Sequence, residues 1–265
     1  MKKHFFFILL LTIFNCIASY AQTISNGPEI LILGTVHKNN KKITHHTLYD
    51  ILNKYQPDLI LKETENDYEY VFGLFTAYRL KIASPSMEQL ALQKYKRHNK
   101  TVPVLGFDIT ITSRKNYLKN LISLYDQFHE ALYTAKKNPS DSILYANYTK
   151  LSNEYFDQYM FETISYINQD SVFSKARLVH QMEDDIIKLG GNYISDKKIV
   201  DAYKTDNDFW ITRNEYMGNK IVEITKQRNP KRIVVITGLS HKYYLLDKLK
   251  SQKEVPFRFL TLDNE

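Results

Sequence analysis

Two Gly-x-x-His motifs stand near opposite ends of the chain, each closing an apolar run: Leu31, Ile32, Leu33, Gly34, Thr35, Val36, His37, and Val234, Val235, Ile236, Thr237, Gly238, Leu239, Ser240, His241. Glycine permits a tight strand exit and close backbone approach. An imidazole just beyond a strand's carboxyl end lies where open α/β sheets bind ligands. A single strand-end histidine is more often a structural hydrogen-bonding group, so the repetition carries the reading of a site. Glu63 follows Leu59, Ile60, Leu61 and Lys62, and Asp108 follows Leu105, Gly106 and Phe107. Two imidazoles and two carboxylates from four strand ends can ligate a divalent cation, or serve as ligand and general base. A strand-end acid also serves as a helix cap or arginine partner. Both readings stand for Glu63, and the structural one is expected for Asp108. Arg213 aligns at helical spacing with Phe209, Met217, Ile221 and Ile224. A guanidinium in an apolar stripe is expensive unless it pairs with a carboxylate or meets a ligand; otherwise its stem covers apolar surface while its head reaches water.

These groups need a sheet to gather them. Apolar runs at Glu29 to Leu33, Asp58 to Leu61, Val102 to Phe107, Arg232 to Ile236 and Phe257 to Leu262 read as strands. Their continuity, rather than strict alternation, is that of strands covered on both faces. Helical spacing follows from Thr44 to Tyr55, Tyr68 to Lys81, Ser86 to Arg97, Asp206 to Lys226 and Ser240 to Ser251, with Pro57 closing the first. The alternation predicts an α/β fold, a mostly parallel central sheet flanked by helices. Between the third and fourth strands, about 113–205, the pattern turns to long Tyr-rich helical segments, a helical insertion with turn signals at Asn138, Pro139, Ser140 and at Gly190, Gly191, Asn192.

Met1, Lys2 and Lys3 precede an apolar run from Phe5 to Ile17 and the small-residue end Ser19, Tyr20, Ala21. This predicts a signal peptide over 1–21, a single domain over 22–265 and a periplasmic or secreted product. No later stretch has the roughly 20 apolar residues of a spanning helix. Cys16 is the sole cysteine; its loss with the leader would exclude disulfides, thiolate metal sites and a cysteine nucleophile. The formal net charge of +7, less Lys2 and Lys3, is spread over both signs without a compact basic run, so nucleic acid is not an expected partner. There is no P-loop, no Gly-x-Gly-x-x-Gly, no Gly-x-Ser-x-Gly around Ser240, and no second zincin histidine after His129 and Glu130. His45 and His46 are adjacent on a helix, so at most one faces a site. His98, His129 and His180 are expected in solvent.

The ordered set resembles the TraB/GumN and Tiki family, within the erythromycin esterase-like and ChaN-like group. The resemblance is carried by Leu33 to His37, Pro57 to Glu63, Val104 to Ser113, Arg213 to Met217, and Ile233 to Gly238 with His241. It covers the two ends of the expected domain and leaves the helical middle unassigned. It implies that His37, His241 and Glu63 are active-site or metal positions, with Arg213 the conserved helix residue; Asp108 could join them on a metal. Lys62 departs from the family pattern, which has an apolar or small residue there. The expectation is an exported hydrolase of an amide or ester bond in a small-molecule or peptide substrate. Either a divalent metal activates water, or Glu63 and a histidine act as bases, with Arg213 orienting a substrate carboxylate or an oxyanion. The alternatives are a haem- or peptide-binding protein using the same pocket, and an interaction protein working through the insertion.

Overall fold

The structure, a computed structural model, describes residues 27–36, 42–68, 70–110 and 124–262, the side chains of 158–161 excepted. The expected leader and His37 lie outside the described residues. Five strands, β1 (Glu29–Thr35), β2 (Leu59–Lys62), β3 (Val104–Gly106), β4 (Arg232–Gly238) and β5 (Arg258–Leu260), form one parallel sheet in the order β3-β2-β4-β1-β5. The two long apolar runs, β1 and β4, pair along their whole length from Glu29↔Arg232 to Thr35↔Gly238. Each is buried on both faces, which is why neither alternates.

On one face lie α1 (His45–Tyr55) and, after the short α2 (Leu74–Arg79), α3 (Met87–His98). Leu52, Leu92 and Tyr95 pack there on Leu31, Ile60 and Val234. Thr44 and Ser86 start α1 and α3 with capping boxes closed by Thr47 and Gln89. Gln56, in the left-handed region at φ 44°, ends α1 ahead of Pro57. Between β3 and β4 run α4 (124–134), α5 (Pro139–Phe161), α6 (Ile164–Ile167), α7 (Asp170–Tyr193) and α8 (Lys197–Arg228), and β4 is followed by α9 (Leu239–Ser251). The opposite sheet face is covered by α8 and α9, whose Met217, Ile221 and Leu245 meet Ile30, Ile32, Leu61 and Val235. The connections from β1 and β2 thus leave toward one face and the connection from β4 toward the other. The carboxyl end of β4 is a topological switch point, where such sheets open a crevice.

Three expected elements differ. Tyr68 to Lys81 is helical only over Leu74–Arg79, none of it buried; Gly73 (φ 79°) and Lys81 (φ 57°) bracket it in the left-handed region. The expected boundary near 205 falls inside α8, a single 32-residue helix. It packs Val200 and Tyr203 in the helical region and Met217 and Ile221 on the sheet. The expected turn at Gly190, Gly191 and Asn192 is helix, because α7 continues to Tyr193. Gly190 serves instead as a contact point: a Cβ there would sit 2.3 Å from Phe128 Cε2. Phe128 is fully buried and stacks on Tyr203 at 3.9 Å, so its ring has nowhere to go. Gly190→Ala should therefore destabilise the fold by about 1–3 kcal/mol of overpacking despite alanine's better helix propensity. Urea midpoints of the two proteins measure this; an unchanged or higher midpoint would mean the ring gives way.

Candidate active site

Arg213, on the sheet-facing side of α8, is 6% exposed and makes the contacts that organise the carboxyl rim. Its Nε donates to Asp108 Oδ1 at 2.8 Å and its Nη2 to Asp108 Oδ2 at 2.7 Å, a bidentate pair. Nη2 also donates to Glu63 Oε1 at 2.5 Å, and Nη1 lies 3.1 Å from His241 Nε2. Each partner comes from a strand end. Glu63 directly follows β2, its N–H bonded to Ile236 O of β4. Asp108 lies two residues past β3, and His241 sits in the first turn of α9 behind β4.

Glu63 Oε2 accepts from the Thr237 hydroxyl at 2.8 Å and from the Gly238 amide at 2.6 Å. Burial alone would raise its pKa. His241, Arg213, the Gly238 N–H and the Thr237 hydroxyl outweigh burial and hold it at about 2. Burial likewise works against the Arg213 charge, and Asp108 and Glu63 overcome it, so its pKa is raised.

The tautomer of His241 follows from its neighbours. Asn214 Nδ2 donates to Trp210 O at 2.7 Å, which leaves Asn214 Oδ1 to accept from His241 Nδ1 at 2.9 Å. The proton is therefore on Nδ1. Nε2 presents a lone pair to Arg213 and stands 3.7 Å from Glu63 Oε1. Asn214 follows Arg213 in sequence, and one turn of α8 thus addresses both edges of the cluster. Sequence reasoning placed Asn214 in the Arg213 motif without giving it this role.

Around this centre lie groups that the sequence did not single out. On the α3 side, a cleft of about 110 Å³ is lined by Glu63, Lys62, Thr35, Glu88, Ser86 and Thr237. The Thr35 hydroxyl is 2.9 Å from Glu88 Oε1. The Lys62 ammonium has a lowered pKa, chiefly from burial, with Glu88 and Glu63 opposing. On the other side the Trp210 ring lies parallel to His241 at 5.7 Å and His180 stacks on Trp210 at 4.0 Å. Trp210, His180 and Tyr243 line a second cleft of about 460 Å³. His180, expected in solvent, is packed here instead. Burial, against an Ala176 carbonyl and with help from His241, lowers its pKa to about 4. His129 is likewise packed among Tyr125, Phe128 and Tyr203.

The first Gly-x-x-His motif is described as far as Val36, and His37 lies outside the described residues. Its glycine is demanded by close approach: a Cβ on Gly34 would be 2.7 Å from Leu239 Cδ1. Asn168, between α6 and α7, clasps the same peptide, accepting from Gly34 N at 2.8 Å and donating to Gly34 O at 2.9 Å. Lys242 Nζ donates to both oxygens of Asn168 at 2.9 Å. Burial lowers the Lys242 pKa to about 7, with Asp170 opposing. No periodicity in the sequence announces a clasp spanning 134 residues. The His45 and His46 rings lie 4.1 Å apart and tilted by 37°, with His45 near Phe75 and His46 near Lys94 rather than among the partners of Arg213.

Glu63, Asp108 and His241 each direct a lone pair at Arg213, whose guanidinium is the cation between them. Among the described residues, no group of three His, Cys, Asp or Glu side chains is arranged to hold a metal ion. The expected ligand set of His37, His241, Glu63 and Asp108 is thus seen here only as three partners of a guanidinium.

No family model matches the chain, and no curated protein matches it in sequence. Among solved structures it is similar to an erythromycin esterase mutant in its open conformation, at 12% identity and a TM-score of 0.31, over 88% of this chain and 69% of that one. At that identity and TM-score the likeness assigns no residue a role. The fold is α/β with a parallel sheet, and the site is defined by its own geometry.

Removing the guanidinium strands two buried carboxylates. Arg213→Met should lower stability at neutral pH by about 3–5 kcal/mol. Its pH dependence should also flatten. In the wild type the depressed Glu63 pKa contributes stability that is present above the ordinary carboxylate range near 4.5 and is lost as pH falls toward 2. In the variant Glu63 keeps His241, the Gly238 amide and the Thr237 hydroxyl but loses Arg213, so its pKa is less depressed and the loss of stability on acidification should be shallower. Denaturant midpoints across pH measure both; parallel curves would mean the cluster does not couple as drawn.

Proposed function

We propose that the protein is a hydrolase that cleaves an ester or amide bond at the carboxyl rim of its sheet. The observation that carries this reading is an imidazole, His241, whose Nδ1 faces Asn214 and whose Nε2 stands 3.7 Å from an ionised carboxylate, Glu63, at the carboxyl end of the sheet. Glu63 accepts from Arg213, the Thr237 hydroxyl and the Gly238 amide, which makes it a weak base, so the imidazole, unprotonated at Nε2, is the group that takes the proton from water as its oxygen attacks the substrate carbonyl. A protonated Nε2 turns the 3.1 Å contact with Arg213 repulsive and makes Glu63 Oε1 the nearest acceptor. Glu63 thereby stabilises the imidazolium until its proton passes to the leaving oxygen or nitrogen. Arg213 is a positioning residue, its N–H groups engaged by Asp108, Glu63 and His241. Lys62, in the cleft beside Glu63, is the cation placed to offset charge on the carbonyl oxygen. His37 is the second imidazole by the motif resemblance. The leader-like residues 1–21 make this an exported activity, and among the described residues no helix is long and apolar enough to cross a membrane.

The donor arrangement around Arg213 favours the metal-free form of this chemistry. The test is turnover of a panel of p-nitrophenyl esters and quenched peptides by the wild type, His241→Ala and Glu63→Gln. A positioned acid–base group is worth about 100-fold or more, so losses of that size in folded variants are expected, with wild-type activity surviving chelator. Activity retained in His241→Ala would sink the assignment. Near-stoichiometric metal in the wild type, absent from a folded His37→Ala/His241→Ala variant, would replace the metal-free mechanism with a metal-assisted one.

A further inference from the structure

Of the large apolar side chains exposed among the described residues, six of thirteen fall between Tyr70 and Ile82. Phe72 is 93% exposed, Ile82 76%, Leu80 63% and Val71 50%. This is the connection that leaves β2 just after Glu63 and returns to α3. It inverts the usual economy of a surface loop, which turns apolar groups inward and polar groups to water. Here the inward anchor is polar: Gln93 on α3, 1% exposed, accepts from the Val71 amide at 3.1 Å and from the Tyr68 hydroxyl at 2.8 Å, and donates to Val71 O. The loop is thus held by its backbone while its apolar side chains face out. α2 buries none of its residues.

The charge that follows the patch is basic, while Glu65, Asp67 and Glu69 precede it in the same connection. From Tyr70 to Lys100 the acid is Glu88, which is buried beside Thr35, against Arg79, Lys81, Lys94, Lys96, Arg97 and Lys100. Three of these cations reach the patch itself. Lys96, Arg97 and Lys100 line a recess of about 600 Å³ with Tyr70 and Phe72, and the Arg97 guanidinium lies 5.5 Å over the Phe75 ring. Protruding apolar tips ringed by lysine and arginine match an anionic bilayer surface, where the tips enter the headgroup and acyl boundary and the cations meet lipid phosphates. A groove for a helix or strand would instead need a continuous apolar wall, and the recess is walled as much by Lys96, Arg97 and Lys100 as by Tyr70 and Phe72. We infer that residues 70–82, with the cations at the end of α3, form a peripheral docking surface for membranes rich in anionic lipid. The inference is independent of the hydrolase reading, because it is read from binding without turnover.

Vesicle co-sedimentation of the full protein tests it, with phosphatidylcholine alone and phosphatidylcholine mixed with phosphatidylglycerol. Binding to the mixed vesicles should exceed binding to the neutral ones by about tenfold or more and weaken as salt screens the cations. Phe72→Ser/Leu80→Ser/Ile82→Ser and Arg97→Glu/Lys100→Glu should each lose about tenfold in binding with an unchanged thermal midpoint, since none of these side chains is buried. Absence of wild-type binding to either vesicle, or equal binding by the apolar variant, overturns the inference. So does self-association that the apolar variant abolishes while vesicle binding is absent, which would make the surface a protein interface.

Discussion

A guanidinium buried under a helix cannot stand alone, because the solvation it gives up is worth more than the packing its stem gains. Arg213 is such a group, and the carboxyl rim is arranged around that constraint. Asp108 grips two of its nitrogens, Glu63 shares one of them, and His241 turns a lone pair toward the third. Because the partners hang from β2, β3 and the turn after β4, one side chain of α8 fixes the register of three strand ends against the helix. Loosening any of them leaves a charge without its counter-charge in a dry place. Site and fold are coupled through this group, so the residues that set the chemistry also set the packing of α8 on the sheet.

That coupling gives Glu63 and His241 different characters although they stand 3.7 Å apart. Glu63 receives hydrogen bonds from a guanidinium, a hydroxyl and a backbone amide, which stabilise its anion and remove its basicity. His241 keeps a proton on the nitrogen that faces Asn214 and a lone pair on the other. The acid is a fixed charge and the imidazole carries the lone pair. The helices between β3 and β4 take part as well. Asn168 clasps the Gly34 peptide and is held by the buried Lys242, next to His241 in sequence. The ends of β1 and β4, neighbours in the sheet, are therefore tied together again from outside it.

The surface between β2 and α3 follows another logic. Where the core needs apolar groups inside, the sequence supplies them as continuous strands and capped amphipathic helices. In 70–82 the apolar groups are spent on the outside and a buried glutamine holds the backbone. A helical period is present there, which is why a helix over Tyr68 to Lys81 is the natural expectation. Without a face to bury, only Leu74–Arg79 forms.

By itself the sequence determined the α/β class, the five strands to within a few residues and the gathering of Glu63, Asp108, Arg213 and His241 at strand ends and on one helix. The reason is local. Buried parallel strands need continuous apolar runs, Gly-x-x-His marks a strand exit, and a charge in an apolar helical stripe must find a counter-charge. Tertiary structure alone decided the strand order, which sets the two Gly-x-x-His strands side by side, and the partner of each polar atom around Arg213. It also decided the fate of His180, which local composition places in water and packing places against Trp210. Gly190 reads as a turn signal until Phe128 is seen against it. Asn168 has no sequence mark because its function is defined by a peptide 134 residues away. Such pairings depend on distances through space, which neither period nor composition encodes.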